Sequence, residues 1–220
     1  MRLAALLLAL ATPLAAQEYV SVDRRLADVD FHRLVACAAS PGGPCRKPML
    51  RWPAAMRAPL TVGLVSEPRD LPAYKAAAFD AALEDVVAQV NAVGAGIELA
   101  EAEDDPDIRV HVVPVPPGGI VRGTGEPALD GRRLPLALVS VRLDARRGAI
   151  AEAAIAVSDD IRRREIAPVM LEEVVQALGL MTDVAGAPYH RSIFFEDGNS
   201  AAYLRGQDAE ALRLHYPPGS

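Results

Sequence analysis

Several kinds of residue are scarce in this chain. Of 220 residues, two are cysteine, four are histidine and one is tryptophan, and aromatic residues make up 5%. Two cysteines are too few for a zinc ribbon or an iron–sulfur framework. Four histidines suffice for one metal centre only if three of them converge. Positive charge is in deficit: 23 Lys and Arg stand against 29 Asp and Glu, a formal net charge of −6. That balance excludes a protein that holds nucleic acid mainly by neutralising phosphates. No segment is apolar over the ~20 residues that a spanning helix needs. Gly118, Gly119, Gly123 and Gly125 lack the strand-to-helix setting and the following lysine of a phosphate-binding loop. What the chain does have is apolar content, 51% of residues. That is enough to bury a core and excludes general disorder. The length fits one domain, or one with a small appendage.

The segment from Met1 to Ala16, MRLAALLLALATPLAA, reads as an address rather than structure. Arg2 supplies a positive start, Leu3 to Ala11 a short apolar run, and Pro13 a break before small residues, the pattern of a secretory signal peptide. The mature chain is expected to begin near Gln17, without a lipid anchor, since no cysteine follows the apolar run. Export to the periplasm or beyond changes the reading of Cys37 and Cys45, which flank the turn-forming Pro41-Gly42-Gly43-Pro44. An oxidising compartment favours a disulfide between them. A loop this short is stabilised by roughly 2–3 kcal/mol on closure. The expected organisation is a leader over 1–16, an N-terminal segment with the disulfide over 17–58, and the main domain over 59–220.

Strand and helix patterns alternate along that domain. Phe31, Leu34 and Val35 have helical spacing within 29–39. Leu60–Val65 is β-rich and bounded by prolines, hence a strand. Tyr74 to Val93 carries Phe79, Leu83, Val86, Val87 and Val90 at the helical period, ended by Gly94 and Gly96. Strands are expected at 97–100, 108–113, 136–143 and 151–157, with a long irregular loop over 114–135. A helix is expected over 170–180 with Pro168 near its first turn, and a last short helix over 207–214. The run Arg162-Arg163-Arg164 is expected to be a solvated helix start, paired locally with Asp159 and Asp160. This mixture predicts an α+β (α/β) domain.

One helix raises a chemical question. In Leu171-Glu172-Glu173-Val174-Val175-Gln176-Ala177-Leu178-Gly179-Leu180-Met181-Thr182-Asp183, Glu172, Gln176 and Gly179 form a stripe opposite the apolar face of Ala167, Met170, Leu171, Val174 and Leu178. Zinc proteases present ligands one turn apart in this way, with a glycine turn before the third ligand. The segment resembles the signature H-E-x-x-H-x-x-G-x-x-H with its histidines removed. Glu172, Gln176 and Thr182 stand at the ligand positions, Glu173 at the general-base position and Gly179 at the turn. Ala177 to Leu180 is similar to matrixin-type metzincins. Ser192-Ile193-Phe194-Phe195 resembles the Met-turn with Phe194 in place of methionine, and 204–216 resembles the closing helix of that fold. The chain is also similar to an exported bacterial domain-of-unknown-function family, number 2927, in Arg51-Trp52, in 172–183 and in the Ser-Ile-Phe segment. That family carries no established activity.

The resemblance implies a zincin-like domain: a mixed twisted sheet, a long helix, an active-site-type helix and a C-terminal helix. The residues themselves argue against the metal. Gln176 and Thr182 are poor zinc ligands, and Asp183 lies one residue past the third position. Without zinc, Glu173 keeps the place of a base with no activated water to use, a vestigial position. No cofactor is expected. The same stripe reads equally as an ordinary solvated helix face. His190 is the one histidine to test as a substitute ligand, so Glu172, Gln176, Asp183 and His190 are the candidate cleft residues. His111, in a strand, is expected to be an ordinary core or surface histidine, and His32 and His215 have no assignable partners. Ser192 beside His190 is not a catalytic pair.

Three functions follow. The first is a non-catalytic exported domain that binds a protein or peptide, since the cleft-edge strand of a zincin suits strand addition. The second is a metal-dependent hydrolase with an unorthodox site around Glu172, Glu173 and His190. The third is a structural envelope protein.

Overall fold

A computed structural model describes residues 19–198 and 200–219 of the chain. The leader over 1–16 lies outside the described residues. The order is β1 (Tyr19–Ser21), α1 (Asp28–Cys37), β2 (Leu60–Ser66), α2 (Ala73–Ala92), β3 (Leu99–Glu101), β4 (Ile108–Val113), β5 (Ala137–Leu143), β6 (Ile150–Ser158), α3 (Arg163–Ala177), β7 (Asp183–Ala185) and α4 (Gln207–His215). This is the mixed α/β architecture that the alternating patterns predict.

Five strands form one sheet in the order β3-β2-β4-β6-β5. All pair in parallel except β5, which runs antiparallel to β6 and ends the sheet. Side chains alternate between the faces. Ile108, Val110 and Val112 of β4 join Ile155 and Val157 of β6 and Val139 of β5 in the main core. There they meet α2, through Phe79, Leu83, Val86 and Val90, and α3, through Met170, Leu171 and Val174. The other face holds a smaller apolar cluster of Val113, Leu138, Ala154 and Ala156. Val121, Leu129 and Leu134 of the 114–135 loop cover it. That loop is irregular, as its prolines and glycines predict, but it is pinned by backbone bonds such as Gly118 N–H to Leu134 O at 2.6 Å and Val121 N–H to Arg132 O at 2.9 Å.

The N-terminal segment shares the same core. Val20, Phe31, Leu34 and Trp52 are buried together with residues of α3 and of 178–216. β1 pairs in parallel with β7, Tyr19 opposite Asp183, a two-stranded ribbon too short for its sequence to announce. Cys37 and Cys45 are joined by a disulfide, with the sulfurs 2.04 Å apart.

Two local expectations are corrected. The helix expected from Met170 begins seven residues earlier, at Arg163, and Pro168 lies inside it. A proline there forfeits one backbone bond, at a cost near 3 kcal/mol in a helix interior. Burial of Ile166, Val169, Met170 and Leu171 on the same helix offsets that cost. The expected pairing of the arginine run with Asp159 and Asp160 does not form. Arg162 instead approaches Glu165 at 3.5 Å, because the first helical turn brings that carboxylate round to it, and Arg164 lies 3.9 Å from the same carboxylate as its chain neighbour. The Asp159 carbonyl accepts from Lys75 of α2.

Candidate functional site

Helix α3 ends where the sequence places a glycine. Its last carbonyls need partners from outside the helix. The Trp52 indole N–H donates to Ala177 O at 3.0 Å, and the Tyr216 hydroxyl donates to Leu178 O at 2.6 Å. Gly179 then turns the chain at φ +104°. A Cβ there would lie 2.1 Å from the Leu50 carbonyl oxygen and 2.9 Å from His215 Nε2, so both the dihedral and the space require glycine.

The turn carries 180–185 back along α3 and brings β7 against the Glu172–Gln176 side. The stripe is therefore covered, by segment 181–196 rather than by the 114–135 loop, which lies across the other face of the sheet. Glu173 and Gln176 are buried and Glu172 is half-buried. Gln176 Nε2 donates to Asp183 Oδ1 at 2.9 Å and reaches Glu172 Oε1 at 3.4 Å. Asp183 faces Glu196 and feels the ammonium of Lys47. Burial, and then the neighbouring Glu196, raise the Asp183 carboxyl to about 7. Burial, and then the charge of Asp183, push Glu173 well above the usual carboxylate range. Glu173 Oε2, Thr182 Oγ1 and Glu196 Oε2 are buried and have no hydrogen-bond partner among the described residues. Glu173 is thus a buried carboxyl that holds its proton well above the usual carboxylate range.

This set does not fit zinc. Of the residues at the three ligand positions, the Gln176 amide spends its N–H groups on two carboxylates, and Thr182 offers a neutral hydroxyl. Among the described residues, no group of three or more His, Cys, Asp or Glu is arranged to hold a metal ion. His190 is not drawn in. It is exposed, and its Nδ1 contacts the Ala187 carbonyl at 2.8 Å. Asp183 does join the cluster, as a partner of Gln176. Glu196 and Lys47 are members that the sequence pattern does not reveal, because neither shares an element with α3.

The remaining motif pieces assemble around this end of α3. Val184 N–H donates to Phe194 O at 2.7 Å, which ties the Ser192-Ile193-Phe194 turn to β7. Phe194 is fully buried, edge-on to Phe31. Asp208 of α4 accepts from Ser192 Oγ at 2.7 Å and from Ile193 N–H at 3.0 Å, which ties the Ser-Ile-Phe turn to α4. His32 and His215 find each other, Nε2 to Nδ1 at 3.2 Å, and His215 Nε2 bonds Leu50 O at 2.8 Å. Desolvation lowers them to about 4 and about 3, so both are neutral in the folded protein.

A second region lies on the free side of β5. A groove of about 370 Å³ runs there, reached from both faces of the sheet. One face presents charge. Arg109 Nε bonds Glu126 Oε1 at 2.5 Å and Arg109 Nη2 lies 3.3 Å from Glu152, which also pairs with Arg142. Glu126 in turn comes 3.6 Å from His111, whose ring is buried and bonded to Ser66 Oγ at 2.9 Å. The opposite face presents Leu50, Val139, Val141 and Met181. The sequence carries a signal for the charged face. Arg109 and His111 alternate with Ile108, Val110 and Val112 in β4, the period-two mark of a polar face.

The family described as "Protein of unknown function (DUF2927)" matches residues 28–219. The chain belongs to this family. The match takes in the four helices and the five-stranded sheet, and the carboxyl cluster and the β5 groove lie within it. A comparison with the curated proteins finds no match.

Proposed function

We propose that this DUF2927 protein is an exported, catalytically inactive domain on a zincin-like frame, and that it binds an extended peptide or protein segment along β5. The observation that carries this reading is the edge itself. β5 is the terminal strand of the sheet and has a neighbour on one side only among the described residues. Its other side opens on the groove. An edge of this kind takes a further strand through main-chain hydrogen bonds, with side-chain pockets to select it.

The zincin-like frame is supported by the way its motif pieces meet: α3, the Gly179 turn, the Ser-Ile-Phe turn and α4 are held together by Phe194, Ser192 and Asp208. Inactivity is supported by the amide and hydroxyl at the ligand positions and by the buried, proton-holding Glu173. Export is supported by the disulfide and by the leader pattern of 1–16. Among the described residues, no helix is long and apolar enough to cross a membrane.

The experiment is a panel of fluorescent extended peptides measured by anisotropy against the purified protein. Methylating alternate backbone nitrogens of a bound peptide should abolish binding in one parity and spare it in the other, because an added strand bonds the edge through every second residue. Equal tolerance of both parities would refute strand addition.

A further inference from the structure

We infer that the β5 groove selects a segment whose side chains alternate between acidic and apolar. This rests on the strand-addition reading and names its ligand class.

The faces of β5 determine the pattern. Successive residues of an added strand point to opposite sides of the sheet. On one side they meet Val139 and Val141 of the strand, with Leu50 and Met181 beyond, an apolar wall. On the other they meet the row of Ser140 and Arg142, the cross-strand Glu152, and the loop residues Glu126 and Arg132.

One charge on that second side has no partner. Arg109 is satisfied by Glu126 and Glu152, and Arg142 by Glu152. Arg132 lines the same groove, is half-buried, and forms no ion pair with a carboxylate among the described residues. Asp144, two residues beyond Arg142, also acts on that arginine, so the cation without a carboxylate is Arg132 of the covering loop. A half-buried guanidinium without a carboxylate is a receptor for one, since its planar fork of donors binds carboxylate in bidentate fashion. An aspartate or glutamate of the added strand, two residues from the next on the same face, pairs with Arg132. Its neighbours on the other face fill the Leu50–Met181 wall. A basic segment sets like charge against Arg132, and a uniformly apolar one leaves Arg132 unpaired.

The test uses three short peptides of alternating pattern, Glu/Val, Gln/Val and Lys/Val, and a fourth with the Glu and Val residues of the first in two blocks. Anisotropy with the full mature chain should give about tenfold tighter binding for Glu/Val than for Gln/Val, the worth of one charge-assisted bond. The gap should narrow at high salt and vanish in Arg132→Gln. Arg132→Lys should restore part of it, which separates loss of charge from loss of fold. Equal binding of Glu/Val and Gln/Val by the unaltered protein would overturn the acidic preference and leave strand addition standing. Equal binding of the alternating and blocked peptides would overturn the pattern. Failure of all four to bind would overturn both readings.

Discussion

Gly179 and Trp52 show how much of this molecule rests on single side chains at one helix end. The glycine occupies a dihedral that costs other residues of order 1–3 kcal/mol. It also sits where a methyl group would overlap the Leu50 carbonyl. Gly179→Ala should therefore destabilise the protein by at least about 2 kcal/mol in a chemical-denaturation series. Trp52→Phe keeps most of the apolar bulk and removes one donor. The Ala177 carbonyl it leaves is buried, so a loss of about 1–3 kcal/mol is expected by the same measurement. An unchanged midpoint in either variant would contradict the role assigned to it. The glycine was legible beforehand as the end of a helix pattern. The indole bond was not, because Trp52 and Ala177 are 125 residues apart and nothing local links them.

At the level of elements, α3 and β7 bury two carboxyl groups that prefer to be protonated. A carboxyl whose folded value is raised binds its proton more tightly in the folded state than in the unfolded chain. Its contribution to stability is therefore full below about 4, its unfolded value, and declines as pH rises toward the folded value. For Glu173 and Asp183 that decline reaches into the neutral range. The buried pair His32 and His215 acts with the opposite sign. Their folded values are below the ordinary 6.5, so they cost stability only as pH falls under about 6.5. Above that, only the carboxyls contribute. Thermal stability should fall between about pH 6.5 and about pH 8. Glu173→Gln should flatten that fall by up to about 1.4 kcal/mol for each step of one in pH, the slope that a single retained proton supplies. The α3 pattern showed in sequence that Glu172, Glu173 and Gln176 belong together. It could not show which of them are buried, because the covering segment 181–196 has no period of its own. The same limit hid Pro168. Local propensity places a proline at a helix start, and tertiary burial of Ile166 and Val169 carried the helix through it.

For the whole molecule, the strand and helix alternation was readable because each long element has an apolar face of the right period. The second face of the sheet was not, because the 114–135 loop that covers it contributes Val115, Val121, Leu129 and Leu134, spaced by turn geometry rather than by any period. The groove of β5 depends on that loop for Glu126 and Arg132, so its charge could not be placed from sequence alone. The disulfide was legible from two cysteines and a turn, and it acts on the whole. Cys37→Ser with Cys45→Ser should lower the unfolding free energy by roughly 2–3 kcal/mol, read by urea denaturation beside the oxidised parent. The pair fixes the short stretch between α1 and the residues that reach Met181, so the loss should appear in global unfolding rather than as local fraying.

The ribbon of β1 and β7 has a consequence in time. Val20 must wait for Val184 before it has a partner, and everything between them, the five-stranded sheet included, lies inside the loop that their pairing closes. The entropic cost of closing so long a loop is met only once the rest has gathered. The ribbon should therefore form late as the chain folds and open early. Amide exchange at Val20 and Val184 should outpace that of β4 and β6.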